Sequence, residues 1–282
     1  MVNHLPPIAF IGPGVMAEAM IAGLIRTGVS KGEDLLVAGP RPERGNQLVA
    51  AYGVAYTASN LEAARKAEVL VLAIKPQHLD KVLAGISGNI PESALVLSIV
   101  AGAPMAHIGR LLGHPAMVRA MPNTPARIGA GITVWSATPE TSADQRKQAE
   151  AILAALGQTV YVEEESFLDK ATALSGTGPA YVYLFMEAMV DAGVHLGFPR
   201  RVAEQLVVQT LRGSVDFYNQ IEEGPRHLAR LRNQVTSPGG TSAEALYYLE
   251  KAGFRTAISR AIWAAYERSR QLGSGDHQKS PD

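Results

Sequence analysis

Cysteine is missing from the sequence altogether. Disulfides, thiolate zinc sites, iron–sulfur ligation and a cysteine nucleophile are thereby excluded. A chain without thiols also fits a reducing compartment, and a cytoplasmic location is expected. Neither sign of charge is in excess: 26 Lys and Arg face 26 Asp and Glu. The balance holds in the parts, with 13 basic and 14 acidic side chains in residues 1–165 and 13 and 12 in residues 166–282. Phosphate neutralisation needs a surplus of Lys and Arg, so no nucleic-acid partner is expected. No run of about 18 uncharged apolar residues is present, so no membrane partner is expected either. Met1 to Pro7 lacks the basic start and apolar stretch of a signal peptide. The seven histidines are scattered, with no i, i+4 pair, and no metal site is expected.

What is there is apolar material, 47% of 282 residues against 18% charged, enough for a sizeable core and for about two domains. Short runs rich in Val, Ile and Leu stand at Ile8–Ile11, Leu35–Ala38, Val69–Ile74, Ala94–Val100 and Met117–Ala120. Helical patterns separate them at Met16–Arg26, Arg41–Ala51, Asn60–Lys66, His78–Leu83 and Pro104–Leu111. Continuous apolar strands alternating with helices predict an α/β fold, a doubly wound parallel sheet of Rossmann type. Ile132–Trp135 and Thr159–Val162 flank a helix at Ser142–Leu156 and are expected to add edge strands.

Strand signals stop after about Ser166. Pro179–Leu196 reads as a helix that is apolar nearly all round, broken only by Glu187 and Asp191 before His195. Such a helix must be covered on every face, and a second protomer is expected to do so. Further helices are predicted at Arg200–Tyr218, Pro225–Asn233, Ser242–Lys251 and Phe254–Leu272. The expected organisation is a nucleotide-binding domain over residues 1–165, an all-helical substrate and dimerisation domain over 166–273, and a disordered tail over 274–282. The assembly expected is a homodimer, or a larger homo-oligomer built on dimers.

The first strand runs into Gly12-Pro13-Gly14-Val15-Met16-Ala17 and then a helix. This G-x-G-x-x-A spacing suits a dinucleotide. Gly12 permits the tight turn, Gly14 lets a pyrophosphate approach the backbone, and Ala17 lets helix and strand pack closely. The N–H groups at the helix start meet the phosphate charge. An NAD site would place an acid at the end of the second strand, where this chain reads Gly39-Pro40-Arg41, with Arg44 one turn on. A guanidinium can hold a 2′-phosphate through two charge-assisted bonds, so NADPH is expected to be preferred, with NADH possible. The alternative, that both arginines are solvated residues at a helix start, stays open.

Four later stretches are Ile74-Lys75-Pro76-Gln77, Val118-Arg119-Ala120-Met121-Pro122-Asn123-Thr124-Pro125, Leu174-Ser175-Gly176-Thr177-Gly178-Pro179-Ala180-Tyr181 and Val235-Thr236-Ser237-Pro238-Gly239-Gly240-Thr241-Ser242. Together, from Ile8 to about Leu272, they closely resemble the pyrroline-5-carboxylate reductase family. The resemblance implies NAD(P)H-dependent reduction of the C5=N imine of 1-pyrroline-5-carboxylate to L-proline, the last step of proline biosynthesis. It implies cofactor contacts at Gly12 to Ala17, at Gly39, Pro40 and Arg41, at Asn60, at Ala73, Ile74, Lys75 and Pro76, and at Ala101 and Gly102. It implies substrate contacts at Glu165, Ser237, Gly239, Gly240, Thr241 and Ser242. Ser242 stands where the family usually has Thr, and keeps the hydroxyl without the methyl that fixes its rotamer.

The substrate loop suits a small cyclic imino acid. Amides exposed by Pro238-Gly239-Gly240 ahead of a helix can hold a carboxylate without a cationic side chain. A nearby cation would disfavour the protonated imine, so a main-chain site is electrostatically sensible. Ser242 is expected to hydrogen-bond the ring nitrogen and is the candidate catalytic residue. Read without the resemblance, the same loop is better explained as an ordinary helix start. Lys75 at a strand end is either a cofactor contact or a solvated Lys, and Asn123 and Thr124 either bind a ligand or complete turns. Two other readings compete. A hydroxyacid dehydrogenase would carry a Lys on the long helix, but Thr177 to Leu196 has none. A non-catalytic NADP sensor would have lost the substrate loop, which here looks intact.

Overall fold

A computed structural model describes residues 5–221 and 227–273. The tail expected at 274–282 lies outside the described residues, as do the first two residues of the helix expected at Pro225–Asn233. The chain divides into two compact units, one of residues 1–179 with 264–282 and one of residues 180–263. The boundary expected near Glu165 falls inside the first unit.

In the first unit the strands are β1 (Ile8–Ile11), β2 (Leu35–Ala38), β3 (Ala55–Thr57), β4 (Val69–Leu72), β5 (Leu95–Ser98), β6 (Met117–Met121), β7 (Gly131–Ala137) and β8 (Gly157–Tyr161). Between them stand α1 (Val15–Arg26), α2 (Pro42–Tyr52), α3 (Asn60–Lys66), α4 (Leu79–Ile86), α5 (Met105–Leu112) and α6 (Ala143–Ala154), with α7 (Phe167–Ala171) following β8. They form one sheet in the order β3-β2-β1-β4-β5-β6-β7-β8. β1, β4, β5 and β6 are buried at every position, as strands covered on both faces must be. Successive side chains feed two separate cores. Ile8, Phe10, Val69, Val71, Leu95 and Leu97 pack with α1 and α6, while Ala9, Ile11, Leu70, Leu72 and Val96 pack with α3, α4 and α5.

The strands expected between residues 8 and 120 pair parallel, as predicted, and β7 then runs antiparallel to β6. Only a short turn at Thr124–Ile128 joins them, too little for the crossover that parallel neighbours need. One expectation is corrected: β7 is not an edge strand, because it lies between β6 and β8, and β8, reached through α6, pairs parallel to it at the edge. Strand β3 is an addition. It has three residues, none buried, and no apolar run to announce it.

The second unit holds helices α8 (Gly178–His195), α9 (Arg200–Asn219), α10 (Leu228–Gln234), α11 (Thr241–Lys251) and the first half of α12 (Phe254–Gly273). Its buried cluster is small: Val190, Ala203 and Val207, with Met186, Met189, Val194 and Leu211 partly covered against them. α8 buries only Val190. No helix among the described residues is long and apolar enough to cross a membrane.

Candidate active site

Strand β1 sits between β2 and β4, with β3 beyond β2 and β5 beyond β4. Chain connections leave in opposite directions on its two sides, and the crevice at the carboxyl ends of such strands takes ligands. The predicted loops gather there: Gly12 to Ala17 follows β1, Gly39 to Arg41 follows β2, Ala73 to Pro76 follows β4, and Ala101 and Gly102 follow β5.

Gly12 has a φ of +99°, and a Cβ on it would come 2.7 Å from the Ala73 carbonyl oxygen. No other residue type fits that turn without strain. Gly39 is pressed as closely on the other side, where a Cβ would meet the Pro13 ring at 2.5 Å. Gly14 caps α1 without a side chain, and the amides of Val15, Met16 and Ala17 have no acceptor among the described residues. Three unclaimed donors at a helix start are the arrangement an anion requires.

Beside the loop lies a cavity of about 380 Å³ lined by Ile11, Gly12, Gly39, Pro40, Asn60 and Ile74 together with one face of α4. The Asn60 Oδ1 is buried and has no hydrogen-bond partner among the described residues. An orphaned acceptor at a cavity wall costs stability unless a donor arrives, and an amino group or a ribose hydroxyl supplies one. Phosphate cradle, cavity and unpaired acceptor fit a dinucleotide with its adenosine end between β2 and α4.

The α4 face and the residue before it add positions that sequence reasoning missed: His78, Lys81, Val82, Gly85 and Ile86 also line the cavity. Their spacing of three and four was readable as a helical stripe. Arg41 stands at the start of α2 with its guanidinium exposed and without a partner among the described residues. Arg44 is placed differently. Its Nε donates to the Pro13 carbonyl at 3.0 Å and its Nη2 makes a short ion pair with Glu18. The Arg44 hydrogen bond and charge hold the Glu18 carboxyl below its ordinary range, against the opposing effect of burial. Lys75 is exposed at the end of β4 and does not line the cavity.

Glu165 is committed inside the first unit. Its Oε1 accepts from the Met105 amide at 2.8 Å and from Arg119 Nη1 at 3.0 Å. Arg119, only 2% exposed, reaches Asp169 at 3.0 Å with its other nitrogen, and Asp169 accepts from Ser269 Oγ at 3.1 Å. This buried guanidinium ties β6, α7 and the end of α12 together. Nothing in the sequence marked it. Asn123 is engaged on both ends of its amide: its Oδ1 accepts from the Ile132 amide and its Nδ2 donates to the Ser175 carbonyl 52 residues on.

The remaining site residues lie in the second unit. Helix α11 begins at Thr241, one residue earlier than expected, with Gly240 as its cap and no side-chain cap. The Gly240 amide turns back to the Ser237 carbonyl at 3.1 Å, and the amides of Thr241 and Ser242 are left without an acceptor among the described residues. Ser237, Gly239 and Thr241 are exposed, and Ser242 is half-buried. The loop is therefore an open pair of main-chain donors beside the hydroxyl groups of Ser237, Thr241 and Ser242. Among the described residues no cluster of three or more His, Asp or Glu could hold a metal ion.

Known proteins resemble the chain in two successive parts. Residues 165–272 match the family model described as pyrroline-5-carboxylate reductase dimerisation. Residues 7–102 match the one described as NADP oxidoreductase, coenzyme F420-dependent. Pyrroline-5-carboxylate reductase of Synechocystis sp. is 44% identical over 266 residues, covering 94% of this chain and 98% of that protein. The Pseudomonas aeruginosa enzyme of the same name is 38% identical, covering 95% and 97%. The crystal structure of Plasmodium falciparum pyrroline carboxylate reductase, with NADP bound, superposes with a TM-score of 0.86 at 33% identity and covers 97% of this chain and 99% of that one. Relatives matched at this identity along almost their whole length place the chain in a family: it belongs to the pyrroline-5-carboxylate reductases.

Proposed function

We propose that the protein reduces the C5=N bond of 1-pyrroline-5-carboxylate to L-proline, the final step of proline biosynthesis, with a reduced nicotinamide dinucleotide. The observation that carries the reading is whole-length membership of the family. When bound, the cofactor supplies the hydride. The free amides of Val15, Met16 and Ala17 receive the pyrophosphate, and Asn60 Oδ1 receives a donor of the adenosine end. The cofactor set is Gly12, Pro13, Gly14, Val15, Met16, Ala17, Gly39, Pro40, Arg41, Asn60, Ala73, Ile74, Lys75, Pro76, Ala101 and Gly102.

The substrate carboxylate is assigned to the amides at the start of α11, within Ser237, Gly239, Gly240 and Thr241, and the ring nitrogen to the Ser242 hydroxyl. Ser242 orients the protonated imine and removes no proton. C5 accepts the hydride, the C=N π electrons return to nitrogen, and the N–H already present is kept. Glu165 belongs to the substrate set as well: its Oε1 serves Arg119 and Met105, and Oε2 is left for a ligand. Residues 1–165 thus serve the cofactor, and 166–273 serve the substrate and assembly. A homodimer, or a homo-oligomer built on dimers, goes with this reading, and so does a cytoplasmic location that fractionation would test.

Two observations favour NADPH over NADH: no acid stands at the end of β2, and the Arg41 guanidinium beside it is free. Following nicotinamide absorbance with 1-pyrroline-5-carboxylate and each dinucleotide tests both statements. Turnover of the imine, with a lower KM for NADPH, is expected. Turnover of a hydroxy acid but not of the imine would overturn the reaction. Arg41→Ala should raise KM for NADPH about tenfold and leave that for NADH nearly unchanged. An equal effect would remove the 2′-phosphate role.

A further inference from the structure

Glu18 places a carboxylate in the first turn of α1, the helix whose start is built to receive phosphate. An acid there favours the empty helix through its dipole, yet it repels a dianionic pyrophosphate at the same end. The chain resolves the conflict with one guanidinium. Arg44 Nη2 pairs with Glu18 Oε2, its Nε donates to the Pro13 carbonyl in the middle of the phosphate loop, and its Nη1 reaches Gln47 at 3.3 Å. Tyr52, at the far end of α2, donates to the second Glu18 oxygen at 3.2 Å. Glu18 is thus held on both oxygens by α2. The loop is braced on its other flank as well, where Tyr56 donates to the Gly39 carbonyl at 2.8 Å and Gly39 lies against the Pro13 ring. The Arg44 and Glu18 side chains keep 24% and 30% of their exposure, so the pair is only partly screened by water.

We infer that Arg44 is a positioning residue for cofactor binding: it fixes the Pro13 carbonyl of the phosphate loop and masks the Glu18 charge from the dinucleotide pyrophosphate, and it does not read the 2′-phosphate. The inference rests on the dinucleotide-binding reading above. It separates the two arginines of α2. Arg41 is free to discriminate between NADPH and NADH, while Arg44, with each of its three nitrogens engaged by Pro13, Gln47 or Glu18, acts on what the two cofactors share.

The test is direct binding of NADPH and of NADH by nucleotide fluorescence, with KM and kcat measured alongside, in the full-length protein. Arg44→Ala should weaken both dinucleotides by the same factor, about tenfold, with kcat nearly unchanged. The loss should shrink when salt is raised, because it is repulsion from an unmasked carboxylate. Glu18→Gln combined with Arg44→Ala removes that carboxylate and should return both affinities to within about threefold of the parent. Arg44→Lys keeps a charge beside Glu18 and should retain most of the affinity, which guards against a general loss of folding. A merely structural role for Arg44 would move melting temperature without this rescue. A loss confined to NADPH, or a double variant no better than Arg44→Ala, would overturn the inference. A parent protein that binds neither dinucleotide would instead sink the underlying reading, and the inference with it.

Discussion

The two units spend their apolar residues in opposite ways. In the first, β1, β4, β5 and β6 are buried throughout, and helices on both faces close two cores from within the chain. In the second, Val182, Tyr183, Leu184 and Phe185 follow one another along α8 with all four exposed, Leu184 at 67%, and Leu196 just beyond the helix reaches 82%. Isolated exposed apolar residues mean little, but a run along an 18-residue helix is a surface waiting to be covered. The match of this region to a dimerisation model supplies the reason. A parallel sheet can complete its own hydrophobic interior, whereas a few helices with three buried apolar residues at their centre cannot. The first unit therefore closes its apolar interior within one chain, and the second leaves its apolar helix face open.

The largest effect should come from attacking the surface the second unit leaves open. Leu184→Asp puts a charge on that face, and burying it unpaired costs several kcal/mol, about 3 or more per protomer. Sedimentation should show the oligomer lost, while fluorescence titration finds NADPH still bound by the first unit within about twofold. An intact oligomer would break the contrast. The reverse experiment is Arg119→Leu. It strands Glu165 and Asp169 beside a hole in the first unit and should cost about 3 kcal/mol, read as a fall of several degrees in melting temperature. Gly12→Ala is smaller in stability, about 1–2 kcal/mol from the positive φ and the Ala73 contact, but it should abolish dinucleotide binding.

The same contrast explains what could be read from the sequence. Strands buried on both faces write themselves as unbroken Val-Ile-Leu runs, so β1, β2, β4, β5 and β6 were legible to within a few residues. β3 pairs only at the sheet edge with none of its residues buried, and left no such signal. The reversal at β7 depends on the short Thr124–Ile128 connection, whose length reads as a turn without giving a direction. At the site, the glycines were legible because backbone strain and close approach demand them. Arg44 was not. Position alone made it a partner for a phosphate, and only its bonds to Pro13 and Glu18, residues 31 and 26 positions away, give it another role. The pairing of Glu165 with Arg119 was hidden for the same reason, since Arg119 lies 46 residues off on a buried strand. Long-range polar pairs carry no periodicity, and that is why spacing cannot find them.

The smallest effect concerns acid, and it sharpens the contrast inside the first unit. Arg44 holds the Glu18 carboxyl below its ordinary value of 4.5, helped by the Tyr52 hydroxyl and opposed by burial. A depressed carboxyl contributes stability that is full above its unfolded value and is lost as pH falls through the folded one. Lowering pH from about 6 to about 4 should therefore begin to release Arg44 from Glu18, leaving the Pro13 bond in place. With both side chains partly exposed, the pair is worth about 0.5 kcal/mol, a shift of a degree or two in melting temperature. The Glu18→Gln variant has no such group to titrate, so the gap between it and the parent should narrow as the solution is acidified. A gap that stays constant across that range would mean that Glu18 keeps its charge for some reason other than Arg44, and that the brace behind the phosphate loop is steric.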